Sequence, residues 1–148
     1  MLLQLLIATA MVILTAVVHA VGLGILTAML RLHTRLFSHL RSMPMTLLLV
    51  AVIGIIAVHS LEIWMWAALY LFALHAFAQF EEALYFSTVT YASIGYGDLL
   101  MAHKWRILAA IEGGAGIMMF GWSTAFVVSL LTQLKMLGHD WLRPRQRD

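Results

Sequence analysis

The sequence contains no cysteine, which excludes disulfide bonds, thiolate metal sites and thiol-based redox switches. Charged residues are also scarce: they make up 11% of the 148 residues, whereas hydrophobic residues make up 63%. Soluble domains carry roughly twice that share of charged residues. The composition therefore indicates an all-α integral membrane protein, since helices satisfy their own backbone hydrogen bonds in lipid.

Several functional signatures are missing as well. No segment carries Arg or Lys at every third position, so the sequence has no voltage-sensor pattern. It also has no phosphate-binding glycine loop and no Ser-His-Asp arrangement. We therefore expect no enzyme activity, no organic cofactor and no nucleic-acid partner.

Three apolar stretches are long enough to cross a bilayer, which takes about 20 helical residues. They cover roughly residues 2–30, 44–78 and 106–134. The basic residues are concentrated in the loop 31–43 and in the tail 135–148. By the positive-inside rule the loop and the tail are cytoplasmic and the N-terminus lies outside. The same basic segments are candidate contacts for anionic lipid.

The segment 44–78 admits two interpretations. It is either one long helix, or two helices broken between His59 and Glu62, which would reverse the orientation of everything that follows. No Gly or Pro occurs at that supposed break, and Pro44 suits the first turn of a helix. The sequence therefore favours one long outer helix.

The most informative motif runs from Thr90 to Asp98 and reads TYASIGYGD. It follows a short amphipathic helix pattern at 81–92 and precedes the last apolar segment. Dehydrated K⁺ needs a cage of oxygen atoms, which backbone carbonyls supply when successive residues alternate in backbone handedness. Gly95 and Gly97 permit this because glycine adopts positive φ without steric cost.

Residues 83–98, ALYFSTVTYASIGYGD, resemble the pore helix and selectivity filter of the potassium-channel pore-domain family. The order of outer helix, pore loop and inner helix extends this resemblance over 44–134. The resemblance implies a homotetramer, because each chain carries a single pore loop and a filter needs four. The expected function is passive K⁺ conduction across a bacterial-type inner membrane. It also implies a filter formed by Ser93, Ile94, Gly95, Tyr96 and Gly97, with K⁺ bound at the first four and Asp98 at the outer mouth.

This chain departs from the family pattern at three positions. Ser93 and Ala92 stand where threonines are usual, and Phe86 stands where many members have a tryptophan that can hydrogen-bond the filter tyrosine. These departures leave open a weakly selective cation channel. A non-conducting membrane assembly or sensor with a channel-like fold is a further alternative.

Three ionisable residues, His19, His59 and Glu62, lie within apolar segments, where such groups are costly and usually functional. Counting from the cytoplasmic helix ends puts His19 and His59 at similar depths, so we predict a cluster that joins the extra N-terminal helix to the outer helix. It is a structural hydrogen-bond joint, a proton-sensitive gating element or a metal site.

The inner helix carries a fourth buried ionisable candidate, Glu112. We expect it to support the filter together with Thr90, the alternative being a side chain that reaches the outer water. Gly113, Gly114 and Gly116 should pack against the pore helix, and Gly121 is either a gating hinge or another packing site. The predicted order is an N-terminal helix (1–30), a basic loop (31–43), an outer helix (44–78), a pore helix (81–92), a filter (93–97), an inner helix (106–134) and a basic tail (135–148).

Overall fold

The computed structural model describes residues 1–36 and 44–134. Within these ranges the chain is all-α, and three of its helices are long and apolar enough to cross a membrane. The elements in chain order are α1 (Leu2–Leu36), α2 (Pro44–Ala68), a turn of π-helix (Leu69–Ala73), α3 (Phe80–Tyr91), a 3₁₀ turn (His103–Trp105) and α4 (Arg106–Gln133).

The first helix is longer than the sequence predicted. It continues past residue 30 to Leu36, so Arg31 and Arg35 belong to the helix rather than to a loop. The physical reason is that no Gly or Pro interrupts the chain between Gly24 and Pro44, and Arg and Leu are good helix formers. Residues 37–43 and the basic tail 135–148 lie outside the described residues.

The second helix runs unbroken through His59 and Glu62, so the two-helix alternative is wrong. Its predicted end at residue 78 is also wrong. The helix widens into the π-turn at 69–73, where the Leu74 amide bonds the Leu69 carbonyl at 3.0 Å. The chain then leaves the helix through His75, whose φ is +46°. Hydropathy assigned this stretch to the outer helix, but hydropathy does not specify a backbone conformation.

The short third helix lies close to its predicted range. Glu81 and Glu82 occupy its first turn, where negative charge interacts favourably with the helix dipole. It ends at Tyr91, and the Ala92 amide then bonds the Thr88 carbonyl at 3.1 Å. Its C-terminal end therefore adjoins the filter segment.

Helices α1 and α2 are antiparallel, because later residues of α1 contact earlier residues of α2. Trp66 Nε1 donates to Thr15 Oγ1 at 3.1 Å, and Gly54 packs against Leu26 nearer the opposite end. Helix α4 packs against both α1 and α2, and α3 packs between α2 and α4. Two apolar cores result, one around Trp66, Tyr70, Phe86 and Leu108, and one around Leu26, Leu30, Leu47 and Ile55.

Candidate ion-conduction site

The filter segment alternates in backbone handedness. Ser93, Gly95 and Gly97 have φ values of +57°, +56° and +78°, and the intervening residues do not have positive φ. Such alternation turns successive carbonyl groups toward one side of the strand, which is the arrangement that an ion-binding filter requires. Ser93 adopts this conformation despite its Cβ, at a cost of roughly 1–2 kcal/mol.

The base of the filter is tied to the end of the pore helix. The amides of Ile94 and Gly95 both donate to the Val89 carbonyl, at 2.8 and 3.1 Å, and the Ser93 amide donates to the Thr90 carbonyl at 2.9 Å. Among the described contacts, Thr90 thus bonds Ser93 through its backbone carbonyl and not through its side chain. These bonds hold the first filter residues at the C-terminal, electronegative end of α3.

The inner helix approaches the same point through two glycines. A Cβ built on Gly113 would stand 3.2 Å from the Thr90 carbonyl oxygen, and one on Gly116 would stand 2.0 Å from that of Tyr91. Gly114 does not share this packing, since a Cβ there would meet nothing within 4 Å. The same is true of Gly121, where α4 continues as an α-helix, so no described residue packs closely against this glycine.

Asp98, which follows Gly97 directly, accepts two hydrogen bonds. Tyr85 Oη donates to Asp98 Oδ2 at 2.7 Å, and the Leu99 amide donates to Asp98 Oδ1 at 3.0 Å. The Tyr85 bond lowers the pKa of the exposed Asp98 carboxyl below its ordinary value, because it stabilises the ionised form. Asp98 therefore stays negative at the end of the segment 93–98.

Glu112 lies fully buried behind the pore helix. Its two oxygens accept one hydrogen bond each, from Tyr70 Oη at 2.5 Å and from Ser87 Oγ at 2.6 Å. The carboxyl group thus joins the inner helix to the π-turn and to the pore helix. A side chain that reaches the outer water does not fit this geometry.

Phe86 is buried beside these groups. Its ring lies 5.6 Å from that of Tyr70 and 5.1 Å from that of Phe77, between ring centroids. The position that holds a hydrogen-bonding tryptophan in many potassium channels is therefore an apolar packing position here.

A protein-family model described as ion channel matches residues 45–133, which span the outer helix, the pore helix, the filter and the inner helix. The chain belongs to this ion-channel family. No curated protein and no solved structure matches it. The family match does not include α1, which contacts α2 and α4 in this ion-channel family member.

Those contacts centre on five buried side chains that form a closed cycle of hydrogen bonds, here called the cyclic network. Around the cycle, His19 Nδ1 meets Glu62 Oε1 at 2.9 Å, Glu62 Oε2 meets Tyr91 Oη at 2.5 Å, and Tyr91 Oη meets His59 Nδ1 at 3.2 Å. Ser123 Oγ then closes the cycle, at 2.9 Å from His59 Nε2 and 3.3 Å from His19 Nε2. The members come from all four helices: His19, His59, Glu62, Tyr91 and Ser123.

The structure thus brings together the three residues that the sequence singled out, and their metal-ligating atoms lie within 4.8 Å of one another. Sequence reasoning missed Tyr91 and Ser123. A usable signal was helical spacing: Tyr91 lies one turn beyond Ser87, and Ser123 lies two turns beyond Gly116, so each shares a face with a residue that packs inside the subunit.

Proposed function

We propose that this chain forms a homotetrameric potassium channel that conducts K⁺ passively. The observation that carries the proposal is the alternating backbone of residues 93–97, placed at the C-terminal end of a buried helix. That combination offers several carbonyl oxygens in a row to a dehydrated cation. The ions would bind at Ser93, Ile94, Gly95 and Tyr96.

We infer a fourfold assembly because a single filter segment cannot surround an ion. One strand supplies oxygens to only one side of an ion, so a complete cage needs further copies around an axis, as symmetric oligomers provide. The filter side chains agree with this arrangement, since Ile94 is 51% and Tyr96 70% exposed in the single subunit. Neighbouring subunits would cover these apolar surfaces.

The electrostatics of the site favour cations. The C-terminus of α3 carries a partial negative charge and adjoins the inner end of the filter. Asp98 adds a full negative charge at the outer end. Both charges attract K⁺ and repel anions.

A weakly selective cation channel is the second candidate, and two observations favour it. Phe86 cannot hydrogen-bond the filter, and Ser93 Oγ reaches its acceptor, the Gly113 carbonyl, only at 3.5 Å. A filter held by fewer side-chain bonds adapts its size more easily and so discriminates less between K⁺ and Na⁺.

Flux from liposomes distinguishes these candidates. Purified protein reconstituted with internal K⁺ should release it down its gradient and exclude Na⁺, and native mass spectrometry should show four chains. Comparable K⁺ and Na⁺ flux would support the weakly selective channel. Tetramers that pass neither ion, while an added K⁺ ionophore restores flux, would indicate a non-conducting assembly.

The proposed location is a bacterial-type inner membrane, with the N-terminus outside and the C-terminus in the cytoplasm. The support for this orientation is that seven of the nine Lys and Arg residues fall in the loop 31–43 and the tail 135–148. Anionic lipid at these basic segments stays a prediction.

A further inference from the structure

The cyclic network contains fewer hydrogens than it needs. Each of its five contacts requires one hydrogen between two polar atoms. When Glu62 is ionised and both histidines are neutral, the available hydrogens are one each from His19, His59, Tyr91 and Ser123. Four hydrogens cannot complete five contacts in a closed cycle, so two lone pairs must face each other somewhere.

The net charge of the network also indicates that one proton is missing. With four hydrogens it carries one net negative charge in a fully buried position, because the exposed fractions of His19, Glu62 and Ser123 are 0%, 0% and 6%. Burying an uncompensated charge is costly. A fifth proton removes the net charge and completes the fifth contact, whereas a sixth would create a positive charge and leave no acceptor for it.

We propose that the cyclic network is a binding site for one exchangeable proton. The fifth proton can reside on His59, with Ser123 donating to His19, or on His19, with Ser123 donating to His59. It can also reside on Glu62. These arrangements interconvert by hydrogen shifts around the cycle, so all three acceptors share one proton.

In the part of the chain that the structure describes, no basic group other than the two histidines contacts Glu62. Among the described residues, the ionisable groups that face the network are His19 from α1, His59 and Glu62 from α2, and Tyr91 from α3. Glu112 from α4 interacts electrostatically with Tyr91, and as an acidic group it does not neutralise Glu62. In the described contacts, α4 also contributes Ser123 and two aromatic rings, those of Trp122 and Phe120. Their centroids lie 5.3 Å from the His19 ring and 4.6 Å from the His59 ring, and aromatic faces attract cations.

A metal ion fits the same donors less well. Zinc binds nitrogen and oxygen ligands at about 2.0–2.2 Å and must stand between them. Here the Glu62 oxygens contact His19 Nδ1 at 2.9 Å and His59 Nδ1 at 3.2 Å, which are distances of direct hydrogen bonds between the donors. The hydrogen deficit favours a proton.

The bound proton links distant parts of the subunit. Tyr91 is the last residue of the pore helix, two positions before the filter, and Ser123 lies on the inner helix beside Gly121. Releasing the proton at alkaline pH breaks one contact of the cycle and leaves a buried charge. The α1 joint and its hold on α3 and α4 should then weaken.

The sign of the effect on stability follows from the number of protons bound. In the unfolded chain, above about pH 6.5, both histidines are neutral and Glu62 is ionised. Folding therefore takes up one proton per subunit in this range. The folding equilibrium should weaken by about tenfold per pH unit, until the folded network itself releases the proton.

Thermal unfolding in lipid nanodiscs between pH 6.5 and pH 9.5 tests this proposal without any need for conduction. Glu62→Gln is the decisive variant, because its amide supplies the fifth hydrogen covalently and carries no charge. The melting temperature of wild type should fall as pH rises, and that of Glu62→Gln should not show the fall caused by loss of the network proton. Tyr91→Phe is the matched control. It removes two contacts and one hydrogen, but His59 Nδ1 lies 3.2 Å from Glu62 Oε2 and can close the cycle directly, so three hydrogens again face four contacts and the pH dependence should remain.

The proposal is overturned if Glu62→Gln and wild type show the same pH dependence, or if Tyr91→Phe alone abolishes it. A rise in the melting temperature of wild type with added Zn²⁺, reversed by a chelator and missing in Glu62→Gln, would also overturn it in favour of a metal site. If Glu62→Gln does not fold, Glu62→Ala replaces it. That variant removes the buried charge and the two contacts of Glu62, so four hydrogens serve three contacts and the pH dependence should again vanish.

Discussion

Gly116 packs directly against the carbonyl group of Tyr91, where the pore helix ends and the filter is about to begin. A Cβ built on Gly116 would stand 2.0 Å from the carbonyl oxygen and 2.9 Å from its carbon. Because both obstacles are backbone atoms, they cannot move aside as a flexible side chain would. The distance between the inner helix and the base of the filter therefore depends on the absence of a side chain at this position.

We expect Gly116→Ala to push α4 away from the pore helix. Overpacking of this kind costs typically 1–3 kcal/mol, and here it acts on the backbone that anchors the filter. The variant should lower the melting temperature of the purified protein and reduce the ratio of K⁺ to Na⁺ flux. Gly24→Ala is the control, because a Cβ there meets nothing within 4 Å. Equal behaviour of the two variants would contradict the prediction.

Gly95→Ala should abolish K⁺-selective flux without preventing membrane insertion. Gly95 has a φ of +56°, which costs an alanine roughly 1–2 kcal/mol, and relief of that strain would rotate a carbonyl out of line. Insertion is checked by membrane fractionation, and selectivity by liposome flux. Leu100→Ala, at an exposed position outside the filter, should leave selectivity intact. Normal selectivity in Gly95→Ala would refute the filter assignment.

Glu112→Ala should destabilise the protein more than Glu82→Ala. Removing the Glu112 carboxyl leaves the hydroxyls of Tyr70 and Ser87 without this acceptor in a buried site, at about 1–3 kcal/mol for each group left unpaired. Glu82 has no such buried partners among the described contacts. Chemical denaturation of both variants measures the difference, and K⁺ selectivity shows whether the loss reaches the filter. Similar, small effects would argue against a bracing role for Glu112.

Tyr85→Phe should make the outer mouth more sensitive to acid. Tyr85 depresses the pKa of Asp98, so its bond is present above the ordinary aspartate pKa and is lost as pH falls through the lowered value. Without the hydroxyl, Asp98 should take up its proton at a higher pH. External acidification between about pH 5 and pH 3 should then reduce inward K⁺ current earlier in the variant than in wild type. Overlapping current–pH curves would contradict this.

The proposed orientation can be tested directly, because the native chain has no cysteine. A single cysteine at Leu3 should react with an impermeant maleimide added to intact cells. A cysteine at Arg147 should react only after the membrane is permeabilised. The reverse pattern would place the filter mouth on the cytoplasmic side and contradict the topology.

The sequence was most informative where composition and backbone chemistry leave few options. Apolar length predicted the three spanning helices, and the glycines at 95 and 97 predicted positive φ at both positions. The positive φ of Ser93 was not predicted, because an L-residue rarely adopts it outside such a strand. The family match then confirmed the assignment to an ion-channel pore family.

The remaining members of the cyclic network could not be predicted, because they depend on how each helix is rotated about its axis against its neighbours. The sequence of one helix does not specify that rotation. The sequence indicated that His19, His59 and Glu62 were unusual, since ionisable groups in lipid are costly. It did not indicate Tyr91 or Ser123, because a tyrosine or serine in a membrane helix is unremarkable until its neighbours are known. The end of the outer helix was missed for a different reason: apolar residues continue to Ala78 although the backbone turns at Leu74.

The N-terminal helix cannot be treated as a removable addition to a minimal pore. His19 covers one oxygen of Glu62 and also contacts Ser123, so deleting α1 would expose His59 and Glu62 to acyl chains. A charged carboxylate at the centre of a bilayer costs about 2.5–3.5 kcal/mol even on the most lenient scale. A two-helix pore engineered from this chain would therefore need apolar residues at positions 59 and 62.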